Sequence, residues 1–320
     1  MTQQRIGFIQ SRGLGDLIIA LPIAREYTKK GYEVYWPVCE PFYQQMMRIA
    51  PWVKWLSVPV DPAGAFFYEN PARQLKAIGV EEELWLYQYL SSHPENTNKS
   101  HFAQFKFDQY KYAQAGVPFG RKWELAECLQ RDLDRESALY DQLVQKPRYM
   151  VYQQHASDLS YTIDLSIIDP EVQCIEITEV TDSVFDWIKI LEGAETMILI
   201  DSVVANLVDQ LGLTEGKDCY YMRKWNRRVD GNPVFLGDWT FVDIADPEGV
   251  QVRSLADTGL NDSQAQQAAL NHTPAEAQTP RPQQAGNPRG GSGQTYTPYG
   301  QTENTLNAAQ KLQASLGLRR

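Results

Sequence analysis

One carboxylate stands in a turn where it could do chemistry. Asp16 lies near the end of the segment of residues 10–17, which follows the apolar run 6–9 and leads into the apolar stretch 18–24. That order is typical of a strand, a turn with two glycines and a helix. Ligands of open α/β sheets bind beyond the carboxyl ends of the strands, so Asp16 is predicted to face a ligand. The helix start also offers free N–H groups to an anion.

A purely structural role for Asp16 is the alternative. An aspartate at a helix start can act as the N-cap and accept hydrogen bonds from the first helical amides. The spacing alone leaves both interpretations open. Arg12 and Gly15 belong to the same turn as Asp16, and we predict that they bind the ligand.

Further polar side chains follow the strands predicted in the second half of the chain. They are His155 and Ser157 after strand 149–152, Thr178 and Glu179 after strand 174–177, and Asp201, Ser202 and Asn206 after strand 196–200. A hydroxyl at a helix start can help bind an anion, and it can equally be a simple cap. We predict that this set binds a ligand beyond the carboxyl ends of these strands, and the end of strand 174–177 is where a nucleotide base or ribose would be read.

A basic cluster follows the next predicted strand. It includes Arg223 and Arg227 in a chain whose net charge is −10. Arginine binds phosphate in a bidentate fork, so these two side chains are candidate diphosphate ligands. The alternative is a solvated face of the kind that clusters of one charge usually form.

These residues need elements to position them. Residues 5–58 alternate strand and helix, as a parallel sheet requires, and the pattern starts again at residue 149. We predict an α/β protein of two Rossmann-like, doubly wound domains that face a central cleft, at residues 1–147 and 148–253. Residues 105–113 are dense in aromatic side chains, and we predict that they form core.

The C-terminal segment 254–320 differs in composition. It is rich in Ala, Gln, Gly, Pro, Asn, Ser and Thr. Such a segment cannot bury enough apolar surface to offset its chain entropy, so we predict a disordered tail. A possible amphipathic helix at 304–318 would let the tail dock onto a larger assembly.

Composition narrows the class of protein. A net charge of −10 argues against a nucleic-acid partner. The four cysteines are widely spaced, as reduced thiols of a cytosolic protein would be. No apolar run is long enough to span a bilayer and no signal peptide is visible, so we expect a protein of the cytoplasm, or of a virion if the source is viral.

Residues 5–61 resemble the bacterial heptosyltransferase family of glycosyltransferases, which have the GT-B fold. The resemblance rests on a strand leading to Gly15-Asp16 and on a proline, Pro22, early in the following helix. It implies that Asp16 is the general base that deprotonates an acceptor hydroxyl. It also implies a nucleotide-diphosphate sugar as co-substrate, a glycan or other hydroxyl compound as acceptor, and inverting transfer with no cofactor and no metal.

A second stretch, 192–207, also resembles that family. Asp201 and Ser202 match the family's Asp-Thr, and Asn206 stands where the family has histidine. Val203 replaces a glycine, and the family's lysine after the first turn of the second domain has no counterpart in 159–165. The resemblance implies that the helix starting here holds the diphosphate, while Val203 requires a changed path for it.

Two other classes of function compete with this interpretation. A non-catalytic binding or assembly protein with the GT-B fold, docked through its tail and possibly associated with a virion, would explain the departures at Val203 and Asn206. An NAD-dependent oxidoreductase is disfavoured because no Gly-x-Gly-x-x-Gly follows either opening strand. We expect the first of these to be the main rival of a glycosyltransferase.

Overall fold

The computed structural model describes residues 4–88, 90, 105–155, 163, 165, 168–223 and 234–243. Residues Met1–Leu270 belong to one compact unit and Asn271–Arg320 to a second, which lies wholly outside the described residues. The tail predicted at 254–320 also lies outside the described residues, which end at residue 243.

The first sheet has four parallel strands. They are β1 Arg5–Ile9, β2 Glu33–Cys39, β3 Lys54–Val58 and β4 Glu83–Trp85, in the order β3-β2-β1-β4. The helices of this half are α1 Leu14–Lys29, α2 Glu40–Ile49, α3 Glu69–Ala77 and α4 Phe107–Ala115, followed by 3₁₀ segments at Phe119–Trp123 and Leu125–Cys128.

The second sheet has five parallel strands. They are β5 Tyr149–Tyr152, β6 Gln173–Glu176, β7 Thr196–Ile200, β8 Asp218–Arg223 and β9 Trp239–Asp243, in the order β6-β5-β7-β8-β9. Its helices are α5 Leu133–Leu143, α6 Ile188–Gly193 after a 3₁₀ segment Val184–Trp187, and α7 Val203–Gln210.

In both sheets the order in which the strands are added reverses beside the first strand. β1 lies between β2 and β4, and β5 lies between β6 and β7. These are the topological switch points where open α/β sheets bind ligands. The predicted fold class, two Rossmann-like halves, is confirmed, and the predicted turns follow β1 and β5. The domain boundaries at 147 and 253 stay predictions.

Helix α1 is buried on all sides in its first half. Every residue from Leu17 to Ala24 is buried, including Pro22 inside the helix. Such an all-round apolar stretch needs packing partners on more than one side. The sheet provides one partner and α7 another, so α1 is the element through which the two halves share one continuous apolar core.

Two buried carboxylates fasten segment 234–239 to the rest of the molecule. Asp209, on α7, accepts hydrogen bonds from the indole Nε1 of Trp123 and Trp239 and from the amides of Leu236 and Gly237. Asp108, on α4, pairs with the buried Lys122 at 2.7 Å and accepts the Val234 amide at 2.8 Å. The segment thereby ties the second sheet to helices of the first half.

The prediction that the aromatic segment 105–113 forms core is confirmed at Tyr110 and Tyr112, which are fully buried. The Tyr112 hydroxyl donates to the carbonyl of Ile19 in α1 at 2.8 Å. Phe105 differs, because it lies before the helix begins and is 37% exposed.

Candidate functional site

Asp16 lies in the first turn of α1. The N-cap of this helix is Gly13, with φ of 83°, and Asp16 is the third helical residue. The alternative N-cap role for Asp16 is therefore wrong, since a residue with no side chain holds that position. A carboxylate in a first helical turn interacts favourably with the helix dipole.

The Asp16 carboxylate meets a buried ammonium group. Its Oδ1 lies 3.2 Å from Nζ of Lys111, whose side chain is fully buried, while the Asp16 side chain is 22% exposed. Lys111 also donates to Oε1 of Gln10 at 2.7 Å and to the carbonyl of Leu86 at 3.1 Å. Burial lowers the pKa of Lys111, and the Asp16 carboxylate acts in the opposite direction.

Gly13 makes room for the other carboxylate oxygen. A Cβ built on Gly13 would lie 2.5 Å from Asp16 Oδ2, closer than real Cβ contacts allow. With φ of 83° as well, this position requires glycine for both space and backbone conformation. Two neighbours thus define the position of the Asp16 carboxylate. Lys111 pairs with Oδ1, and the lack of a side chain at Gly13 leaves room for Oδ2.

Ser202 is the N-cap of α7. Its Oγ accepts the Val204 amide at 3.2 Å and donates to Oε1 of Gln153 at 2.7 Å. Asn206 is buried, and its Nδ2 donates to the Ser202 carbonyl at 3.1 Å. Asn206 Oδ1 is buried with no hydrogen-bond donor among the described residues. The cap predicted as the alternative for Ser202 is confirmed.

The starts of α1 and α7 meet. A Cβ on Gly15 would lie 3.6 Å from Val203 Cα and 3.8 Å from Asn206 Nδ2. The two predicted site regions, one in each half of the chain, are therefore neighbours. Two helix N-termini in one place concentrate unsatisfied N–H groups and positive dipole ends beside Asp16.

In each of the turns after β1 and β5, a glutamine side chain donates a hydrogen bond to a backbone carbonyl of the turn. Gln10 Nε2 donates to the Arg12 carbonyl at 2.8 Å, and Gln153 Nε2 donates to the His155 carbonyl at 3.0 Å. Each glutamine carbonyl then accepts from a group far along the chain, Lys111 or Ser202. Both glutamines are buried and were missed by sequence reasoning, although each occupies the first position after its strand.

The other residues of the second half that were predicted to bind a ligand lie along the carboxyl edge of the second sheet. His155 follows β5, and its Nε2 lies 3.5 Å from Oε1 of Glu176, the last residue of β6. Sequence reasoning singled out Glu179 at this strand end and missed Glu176. Thr178 and Glu179 are exposed just beyond β6, and Asp201 is buried at the end of β7.

Four other residues were predicted to bind the ligand. Arg12 follows β1; its amide donates to the Tyr87 hydroxyl at 2.7 Å and its guanidinium lies 5.6 Å from the Phe66 ring centre. Arg223 is the last residue of β8, at the same sheet edge as Ser202. Ser157 and Arg227 lie outside the described residues.

Two searches of the described residues bear on ligands and membranes. Within that part of the chain, no group of three or more His, Cys, Asp or Glu side chains has the geometry to hold a metal ion. None of its helices is long and apolar enough to cross a membrane.

Comparison with solved structures identifies the fold. The chain is similar to a glycosyl transferase family 9 protein of Veillonella parvula, with a TM-score of 0.50, 12% identity, and coverage of 75% of this chain and 86% of that one. It is also similar to the ADP-heptose lps heptosyltransferase II of E. coli, with a TM-score of 0.44, 10% identity, and coverage of 83% and 97%. The first similarity shows that this chain has the GT-B fold. Neither a protein-family profile nor a curated protein sequence matches the chain.

Proposed function

We propose that this protein is a glycosyltransferase that moves a sugar from a nucleotide-diphosphate sugar to a hydroxyl acceptor, with inversion and without a metal. The observation that carries the proposal is the position of Asp16: a partly exposed carboxylate, fixed in its helix turn, beside the N-terminus of α7. The fold shared with glycosyltransferases supports the same class of reaction.

The proposed step is a single displacement. The acceptor oxygen bonds to the anomeric carbon while the bond from that carbon to the diphosphate oxygen breaks, and the diphosphate leaves with the electron pair. Asp16 accepts the hydroxyl proton as general base. The N–H groups at the starts of α1 and α7 stabilise the negative charge that develops on the leaving diphosphate.

The donor is proposed to lie along the carboxyl edge of the second sheet. Ser202 and the first amides of α7 would face the diphosphate, with Arg223 and Arg227 as its cations. His155, Thr178 and Glu179 would contact the nucleoside. The buried Asn206 Oδ1, which has no donor among the described residues, would accept a hydrogen bond from a sugar hydroxyl.

A calorimetric titration with ADP-, UDP-, GDP- and dTDP-sugars tests this assignment. We expect one of them to bind saturably and to be displaced by its nucleoside diphosphate. Arg223→Ala should weaken binding of the diphosphate much more than binding of the nucleoside. Arg148→Ala is the matched control, because Arg148 is a half-exposed arginine that precedes β5, at the opposite edge of the same sheet.

The rival is a non-catalytic GT-B protein that binds or assembles through residues 254–320. The close packing of Gly15 on Val203 favours it, since a valine with an adjacent helix leaves less space at the start of α7. No binding across the whole panel would favour this rival and overturn the proposal. A cytoplasmic location and an acceptor glycan remain part of the proposal.

A further inference from the structure

The surroundings of Lys111 favour its charged form. Its Nζ donates to Gln10 Oε1 and to the Leu86 carbonyl, at 2.7 and 3.1 Å, and lies 3.2 Å from Asp16 Oδ1 as an ion pair. An ammonium group has three N–H donors, whereas a neutral amine has two and a lone pair. The ammonium form can donate to both carbonyl oxygens and still face the Asp16 carboxylate with its positive charge.

The charge of Lys111 is balanced mainly by Asp16. The other carboxylate near it, Asp108, is already paired with Lys122 at 2.7 Å. The Phe107 ring centre lies 4.5 Å from Nζ, a favourable contact for a cation. Tyr87, the nearby phenol that hydrogen-bonds the same turn, has its pKa raised well above the ordinary value by burial and so stays neutral.

We infer that Lys111 is the positioning residue of Asp16: its ammonium group favours the ionised carboxylate and holds Oδ1. The catalytic consequence rests on the proposed function, but the electrostatic coupling of the two side chains does not. Fixing the rotamer of a base this way orients it before the substrate arrives.

The coupling is measured by NMR titration of the Asp16 carboxyl carbon in the full chain. Lys111→Met removes the ammonium and keeps a side chain of similar length. We expect the midpoint of the Asp16 titration to move up by about one to three pH units relative to the wild type, as loss of an adjacent opposite charge requires. Lys106→Met, which removes an exposed lysine just before the same helix, should leave that midpoint unchanged.

A reciprocal variant protects the test against misfolding of Lys111→Met. In Asp16→Asn the Lys111 side chain loses its counter-charge, so its own titration midpoint should fall by at least about one pH unit. If neither midpoint moves in the folded variants, the inference is wrong.

Transfer kinetics separate this inference from the proposed function. With an active donor, Lys111→Met should lower kcat about tenfold or more. The donor KM should stay within about twofold, and the acidic limb of the pH profile should move to higher pH. If the two midpoints shift but the wild-type protein transfers no sugar, the positioning role stands and the proposed function fails.

Discussion

The side-chain amide of Gln210 lies 3.2 Å from the carbonyl oxygen of Ile18 and 3.1 Å from that of Lys122, and the amide orientation that directs its N–H₂ group at both oxygens satisfies them. Ile18 is four residues before Pro22, which has no N–H to complete that turn of α1. A side chain at the end of α7 thus replaces the hydrogen bond that the proline removes from α1. This contact joins the halves of the molecule close to the site.

We therefore expect Gln210→Leu to lower the free energy of unfolding by about 1 to 3 kcal/mol, because it leaves two buried carbonyl groups without a donor. In that variant, Pro22→Ala should restore part of the loss, since the alanine supplies a backbone N–H that can donate to the Ile18 carbonyl. Urea denaturation of the two single variants and the double variant measures the coupling. Strictly additive effects would show that Gln210 and Pro22 are independent.

Gly13→Ala should displace Asp16 from its place. The new Cβ would lie 2.5 Å from Oδ2, on a backbone with φ of 83°. Gly116→Ala is a matched control: its φ is 62°, but no atom lies within 4 Å of the new Cβ. Both variants should lose about 1 to 2 kcal/mol from backbone strain. Only Gly13→Ala should also lose sugar transfer; equal transfer rates would mean that Gly13 has no role beyond the turn.

Asp209→Asn should be strongly destabilising. All four groups on this carboxylate are N–H donors, so an amide would turn its own N–H₂ toward at least one of them. We expect a loss of about 2 to 3 kcal/mol, because at least one buried N–H donor loses its acceptor. Denaturation followed by tryptophan fluorescence measures it. Asp141→Asn, an exposed change on α5, should stay within about 0.5 kcal/mol, and an equally small effect at Asp209 would contradict this account.

Two buried thiols should be unreactive in the folded protein. Burial raises the pKa of Cys128 and of Cys219 to about 12. Because the folded state holds these protons above the pH where the unfolded thiols ionise, about 8.5, stability should fall as pH rises past that value. Alkylation at pH 9 should modify both residues only as fast as the protein unfolds. Rapid labelling of either in the native state would contradict their burial.

Local sequence patterns were sufficient to predict the fold class. A strand, a turn and an apolar helix were recognisable at 5–24, and the same order was recognisable at 196–207, since each pattern depends on neighbouring residues. The carboxyl-edge position of Asp16, Ser202 and Asn206 follows from parallel topology alone. Those parts of the site were predictable.

The buried residues that contact the site side chains were not predictable in the same way. Lys111 meets Gln10 across 101 residues of chain, and Gln153 meets Ser202 across 49. No local spacing encodes such contacts. A signal did exist for these residues: a lysine between two tyrosines in a stretch predicted to form core, and a glutamine directly after each opening strand. The roles predicted for Ser157 and Arg227 stay predictions.

The most direct test of the central claim is the transfer rate of Asp16→Ala, measured together with its affinity for the donor. If Asp16 is the general base, the rate should fall by about 10²- to 10⁴-fold. The donor Kd should stay within about twofold, because the proposed diphosphate position is the start of α7 and not this carboxylate. A variant that binds donor normally and keeps more than a few per cent of the wild-type rate would contradict the assignment.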